Sequence, residues 1–342
     1  MRRLVSTYAL TLFIATLGCD GRSRSTSIKS ADLVATAGVT VGQTVGVFSA
    51  YWPSRGTTEI GQRMATVANV LLDGSAVVPS VFQAALPGDV QTMRDWGQTT
   101  SLGGVSIHTH YFPAQDDLRI ENIDVMNDIG TGQDIGESAA RAQAGKVLSA
   151  LGAASVLDAT RYDLSRAVLS YRMGGVSPST SAPVPQIIQY RYLLRRLING
   201  IEFAHNGVLI AIHRSGKIAS IRLGGAEVTS AIVDGVEQPV GTGTTFAVQL
   251  APADLDEQFA STFPAARSVK QTLMYVFPAG ESSGTVEPRE VVRFSLPSVL
   301  PSGSTVLSKA QHLAYSLRSP DDPPVYISGV PTPNPEADVQ HR

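Results

Sequence analysis

The stretch QIIQYRYLLRRLINGIEFAHNGVLIAIHRSGKIASIRL, residues 186–223, restricts the fold more than any other part of this 342-residue chain. Val208, Ile210 and Ile212 recur at every second position, and Ile218, Ser220 and Arg222 do the same further on. A period of two places alternate side chains on opposite faces of an extended strand. Asn199-Gly200, Asn206-Gly207 and Ser215-Gly216 interrupt the pattern. Asn and Gly tolerate the positive φ that tight hairpin turns require. The stretch predicts a meander of antiparallel strands that turns at all three dipeptides.

Helical periodicity flanks the meander. Residues 137–153, ESAARAQAGKVLSALGA, are rich in good helix formers. Glu137 suits the positive end, and Ala140, Ala144, Val147, Leu148 and Leu151 share one face. Residues 252–263 predict a second helix, with Pro252 in its first turn and Leu255, Phe259 and Phe263 on its apolar side. Residues 58–72 predict a third. Strands are expected at 76–84, 104–112, 118–125, 268–277, 290–296 and 309–318. In the fourth of these, Val269, Gln271, Leu273, Tyr275 and Phe277 lie on one face. The expected fold class is α+β, built from repeated units of one helix packed on an antiparallel sheet. An N-terminal unit over 41–128 is followed by units over 129–235 and 250–328.

The Ala-rich helix, then YRYLLRRLINGIEF, then VLIAIHRSGKIASIRL, is similar to the rhythm of the PepSY and propeptide-associated domains of bacterial exported proteins. LMYVFP followed by EVVRFS in the last unit is similar in kind. The resemblance covers about half of the chain and has no invariant motif. It implies peptidase inhibition, chaperoning of an enzyme or sensory regulation at the envelope.

Cys19 is the only cysteine. It closes an N-terminus in which Arg2 and Arg3 precede an apolar run over residues 8–18. Those eleven residues fall short of the about 20 needed to span a bilayer and fit the core of an export signal. Ala15-Thr16-Leu17-Gly18-Cys19 resembles the lipobox of bacterial lipoproteins, with Thr16 where Leu is usual. The resemblance implies a signal peptide over 1–18, diacylglycerol on the Cys19 sulfur and usually an acyl chain such as palmitate on its amine. A plain export signal that discards Cys19 is the alternative. Residues 19–40 then form a lipidated, Ser-rich tether, and the Pro-dense tail over 329–342 reads as disordered.

The net charge of −2 removes any whole-chain basic footprint for nucleic acid. Of 27 basic residues, 22 are Arg. Arg191, Arg195 and Arg196 form a local cluster, with Arg196 on the opposite strand face from the other two. It reads as a solvated sheet face rather than a dedicated site.

Catalytic signals are sparse. Gly280-Glu281-Ser282-Ser283-Gly284 matches the G-x-S-x-G nucleophile elbow, which needs a strand-to-helix turn. Its flanks read as strands on both sides, so the match is accidental. His108 and His110 lie on one strand face and are the candidates for a metal pair, with Asp116, Asp117 and Glu121 nearby in sequence. Zinc needs a third or fourth ligand that the spacing does not fix, so no metal or other cofactor is expected.

The favoured expectation is a membrane-anchored, non-catalytic binding or regulatory protein of the bacterial envelope, peptidase-inhibitor-like in kind. Its partners would be the membrane, through Cys19, and an unidentified envelope protein. The alternatives are an envelope hydrolase or metal-dependent enzyme with residues brought together from distant positions, and a structural component of a surface assembly.

Overall fold

A computed structural model describes residues 41–74, 77–129, 132–176, 184–233, 236–239, 241–249, 252–277, 284–299, 305–307, 311–319 and 321–327. Residues 1–40, which include Cys19 and the segments read as signal and tether, and residues 328–342 lie outside them. The first half comprises β1 (Thr44–Tyr51), α1 (Thr57–Leu71), α2 (Ser80–Gln83), β2 (Trp96–Leu102), β3 (Val105–Phe112), β4 (Asp117–Asn122), α3 (Ile123–Met126) and α4 (Gly136–Ala153). The meander follows as β5 (Val168–Val176), β6 (Val184–Ile198), β7 (Ile201–His213) and β8 (Ile218–Gly225). Short strands come next: β9 (Glu227–Val228), β10 (Ser230–Val233), β11 (Val236–Pro239) and β12 (Gly241–Ala247). The chain continues through α5 (Pro252–Thr262), β13 (Arg267–Val276), β14 (Gly284–Ser295), β15 (Pro297–Val299), β16 (Thr305–Leu307), β17 (Gln311–Ser316) and β18 (Val325–Tyr326).

The alternation read in the sequence sorts apolar residues to one face of the meander. Val208, Ile210 and Ile212 of β7 join Ile221 and Leu223 of β8 and Leu118 and Ile120 of β4. On them pack Ile60, Met64 and Val67 of α1 and Ala140, Ala144, Val147, Leu148 and Leu151 of α4. Ala140 and Ala144 are fully buried, so the small side chains let α4 approach closely. The opposite face is partly covered by α3, where Val125 packs on Ala211 and Ala219. In the C-terminal half, Leu255 and Phe259 of α5 pack on Val292, Phe294, Leu313 and Tyr315.

The two halves share one sheet. β7 is antiparallel to β6 and β8, yet near its start Glu202 and Phe203 pair in parallel with Met274 and Tyr275 of β13. β13 pairs with β14, β14 with β1, and β1 with β9. The circuit closes where the Ala226 N–H, just after β8, donates to the His205 carbonyl of β7 at 2.9 Å. Inside this ring sit Phe48, Phe203, Ala226, Val228, Tyr275, Phe277 and Val286, all buried.

This architecture corrects the expected fold class. The protein is mostly β, with a 14-stranded mixed sheet rather than repeated helix-on-sheet units. Periodicity marks which face of a strand is buried but says nothing about which strands share an edge. The edges here join residues far apart in the chain, as in β1 with β12 and β14. Local departures follow the same logic. Asn206-Gly207 lies inside β7 instead of forming a turn, because both residues are paired with Gly225 and Gly224 of β8. Residues 80–83, expected as strand, form a helical turn that buries Phe82 against α1's cluster. The Asn199-Gly200 turn stands as read, with φ values of 51° and 80°.

Ring closure brings backbones unusually near at two glycines. A Cβ on Gly224 would lie 2.0 Å from the Asp116 carbonyl oxygen, and one on Gly225 would lie 2.0 Å from that of His205. Neither neighbour can yield, since both are backbone. Gly224→Ala is therefore expected to cost more than about 3 kcal/mol or to leave no folded protein. Gly200→Ala, at positive φ in open space, is expected to cost about 1–2 kcal/mol. Urea unfolding of the two variants checks this, and equal costs would contradict the packing assigned to the ring.

Candidate functional site

The register between β6 and β7 breaks where the ring begins. Arg195 pairs with Gly207 and Leu197 with Glu202, so Phe203 to Asn206 stand opposite Arg196 alone. Insertions of this kind bend a strand and redirect side chains. Both arginines are buried, Arg195 at 8% and Arg196 at 4% exposure. The solvated face expected for this cluster is thereby corrected: the two guanidinium groups enter separate cavities, each of about 70 Å³. Asn206 and Gly224 line both.

The first, the junction cavity, is lined by Trp52, Asp117, Arg195, His205, Leu209 and Arg222 among others. Arg222 grips Asp117 with two bonds from Nε, at 2.8 and 2.9 Å, and a further contact from Nη2. Arg195 Nη1 donates to Glu202 Oε2 at 3.3 Å and approaches the Met274 sulfur at 3.6 Å. Its Nε has no partner. His205 is set among Phe277, Phe203 and Trp52, with ring centroids 5.1, 6.0 and 6.1 Å away. Burial, reinforced by the nearby Arg195 charge, pushes its imidazole down to about 4, so it is neutral at pH 7. Its Nε2 is also buried without a partner. A buried polar atom left unmet costs about 1–3 kcal/mol, and such atoms are few in folded proteins.

The second, the rear cavity, lies on the helix side and is lined by Arg55, Arg63, Arg161, Tyr162, Arg196 and Glu227 among others. Behind it, Asp116 is 1% exposed. It accepts from Arg55 Nε at 2.8 Å, Arg63 Nη1 at 2.9 Å and the Tyr111 hydroxyl at 2.9 Å. Arg161 Nε donates to Asp158 at 2.9 Å, and Arg196 pairs with Glu227. The Tyr162 hydroxyl donates to Asn206 Oδ1 at 2.7 Å. The Arg196 Nε is buried without a partner.

The structure places the histidine pair elsewhere. His108 and His110 sit side by side on β3, ring centroids 6.0 Å apart. His108 Nδ1 meets the Thr99 hydroxyl at 3.1 Å, and His110 Nε2 lies 3.9 Å from Asp95. Glu121, opposite His108 on β4, is engaged by Arg119. Asp117 lines the junction cavity instead, and Asp116 lies behind the rear one, bonded to Arg55 and Arg63. Among the described residues no group of three or more His, Cys, Asp or Glu side chains is arranged to hold a metal ion. Gly280 to Ser283 of the G-x-S-x-G match lie outside the described residues, but the strands on either side, β13 and β14, pair antiparallel. No described helix is long and apolar enough to cross a membrane.

Fold and site together define a mixed-sheet β protein with a cavity on each face of the seam between its halves. No family model matches the chain, and no curated protein matches it. Among solved structures it is similar to an uncharacterized protein from Eubacterium rectale, with a TM-score of 0.42 and 11% identity over 81% of this chain and 85% of that one. A likeness of that degree carries no argument about activity.

Buried titratable groups give the stability a readable pH dependence. Glu290, 3% exposed, is raised to about 7 by burial and then by Asp256. The native carboxyl keeps its proton to higher pH than the unfolded one, so this group's contribution is lost as pH rises from about 4.5 to about 7. His312 is lowered to about 3 by burial and then by Arg195 and Arg293. There the unfolded chain takes the proton first, and stability falls as pH drops below about 6.5. Thermal melts of Glu290→Gln should therefore gain on the parent protein between about pH 4.5 and about 7, by on the order of 1–3 kcal/mol. A pH-independent difference would contradict this assignment.

Proposed function

We propose that this is a non-catalytic binding protein, held at a bacterial membrane by lipid on Cys19, with the junction cavity as its ligand site. The reading of the anchor rests on the Gly18-Cys19 junction at the end of an apolar run. One acyl chain binds membranes reversibly, and two hold firmly. The reading of the site rests on one observation: two buried nitrogens without partners, Arg195 Nε and His205 Nε2, belong to side chains lining a single cavity. The remaining charges there are already used, Arg222 by Asp117 and Arg195 Nη1 by Glu202. Among the described lining residues there is no Ser, Thr or Cys to act as a nucleophile beside His205. A neutral imidazole and a buried guanidinium between apolar walls suit recognition of a small ligand, or of one protruding side chain of an envelope partner.

The size supports the same class of ligand. A water needs about 10–15 Å³ of such volume, so 70 Å³ admits a group of a few heavy atoms.

Two measurements test the proposal. Labelled palmitate should enter the protein and fail to enter Cys19→Ala, and mass spectrometry should find the mature chain beginning at a modified residue 19. An unmodified start further along removes the anchor. For the site, titration of the purified protein with small carboxylates and amides should give saturable shifts of the Gly207, Gly224 and Gly225 amide signals. Those shifts should be lost in Arg195→Met. Absence of any saturable shift overturns the ligand site.

A further inference from the structure

The rear cavity has a chemistry of its own, independent of the junction cavity. Arginines converge on it from four separate segments: Arg55 from the approach to α1, Arg63 from α1, Arg161 from the turn after α4, and Arg196 from β6. Two carboxylates, Asp158 and Glu227, line the space with these four guanidinium groups. Asp116 holds Arg55 and Arg63 from behind. Glu59 meets Arg55 too, but its side chain is 52% exposed and its field is weakened by solvent. Arg55 and Arg63 both bond to Asp116, Arg161 bonds to Asp158, and Arg196 to Glu227. Arg196 is 4% exposed and its Nε has no acceptor. The side chains of Arg55, Arg161 and Glu227 keep 20%, 20% and 35% exposure, so the mouth is open to solvent.

We propose that the rear cavity is a binding site for a phosphate group, taken from a soluble phosphate or from a phosphomonoester lipid headgroup. Guanidinium forks match the oxygens of carboxylates and phosphates. Donors arriving from four segments favour the tetrahedral anion, whose oxygens point in several directions, over a planar carboxylate. The Arg196 Nε supplies the bond that nothing in the protein accepts, and the other three guanidinium groups bring further donors to the same space. Entry of phosphate draws the rim acid Glu227 away from Arg196, which keeps the site specific for an anion able to outcompete a carboxylate.

Calorimetric titration of the mature protein with inorganic phosphate tests this, alongside sedimentation with phosphatidylcholine vesicles that contain phosphatidic acid. Saturable phosphate binding is expected. It should weaken at least tenfold in Arg161→Gln, which alters only the rim, and in Arg196→Gln. Circular dichroism will show whether the second variant stays folded, and the rim variant decides the matter if it does not. Lys146→Gln, on the exposed side of α4, should bind as the parent does. Vesicle binding that is lost with Arg161→Gln points to the lipid source, and binding of phosphate alone points to the soluble one. Both support the site. No phosphate saturation up to about 10 mM together with no Arg161-dependent vesicle binding overturns it. Phosphate binding that neither variant weakens, or Arg161-dependent acetate binding as tight as that of phosphate, overturns it as well.

Discussion

Two close approaches of backbone to backbone, at Gly224 and Gly225, make the rest of this structure possible. β8 passes between β4 and β7 there, and each glycine lies against a carbonyl of its neighbour with no room for a side chain. Only a residue without Cβ reaches such a contact at φ of 150° and 120°. Because β8 can come that near, the chain continues into β9 and pairs with β1, closing the ring of strands around Phe203 and Tyr275. A closed circuit removes open edges that would otherwise offer unpaired N–H and C=O groups. Its aromatic filling, with Phe48 and Tyr275 edge to face at 5.1 Å, ties three distant segments into one core.

The bulge in β7 follows from the same closure. The strand must leave β6 to reach β13 in parallel, and Phe203 to Asn206 absorb the change of direction. Arg195 and Arg196, adjacent in sequence, then serve different faces. Each is nearly inaccessible, and each retains an Nε that finds no acceptor. A cavity on either side of one bulge is the geometric result, with Asn206 and Gly224 common to both walls.

How much of this was legible depends on the range of the interaction. α4 and its buried face came directly from the spacing of Ala140, Ala144, Val147, Leu148 and Leu151. α1, α5 and the strands β3 and β13 lie within a residue or two of where periodicity put them. What failed was non-local. An Asn-Gly pair is a turn signal only while its backbone groups lack strand partners, and Asn206 has one in Gly225. The joining of the meander to the C-terminal strands rests on two residue pairs between β7 and β13, far too little to leave a pattern. The cavities were illegible for a similar reason. Arg55, Arg63, Asp116, Arg161 and Arg196 look like ordinary surface charges in sequence, and only the approach of α1 and the post-α4 turn to the sheet gathers them. The doubled basic pair in LLRRLI was the one local trace. In sequence that pair reads as a solvated face, and its burial comes from segments that approach from elsewhere in the chain.

The energetics of those arginines bear on why they are there. A buried ion pair recovers little beyond its desolvation cost, and well-packed apolar side chains of similar volume are often at least as stabilising. Asp116, at 1% exposure, takes donors from Arg55, Arg63 and Tyr111, which satisfies the carboxylate but holds two guanidinium groups against it, with Glu59 meeting Arg55 from the exposed side. Arg195 shows the same strain from the other side, since desolvation lowers its pKa despite Glu202. Stability alone gives no reason to gather so many desolvated cations around one bulge when the surrounding sheet is filled with Val, Ile and Leu. A group that arrives from outside and accepts from the unmet nitrogens would offset that cost only when bound. The seam between the halves accordingly gathers three buried nitrogens without partners, those of Arg195, Arg196 and His205.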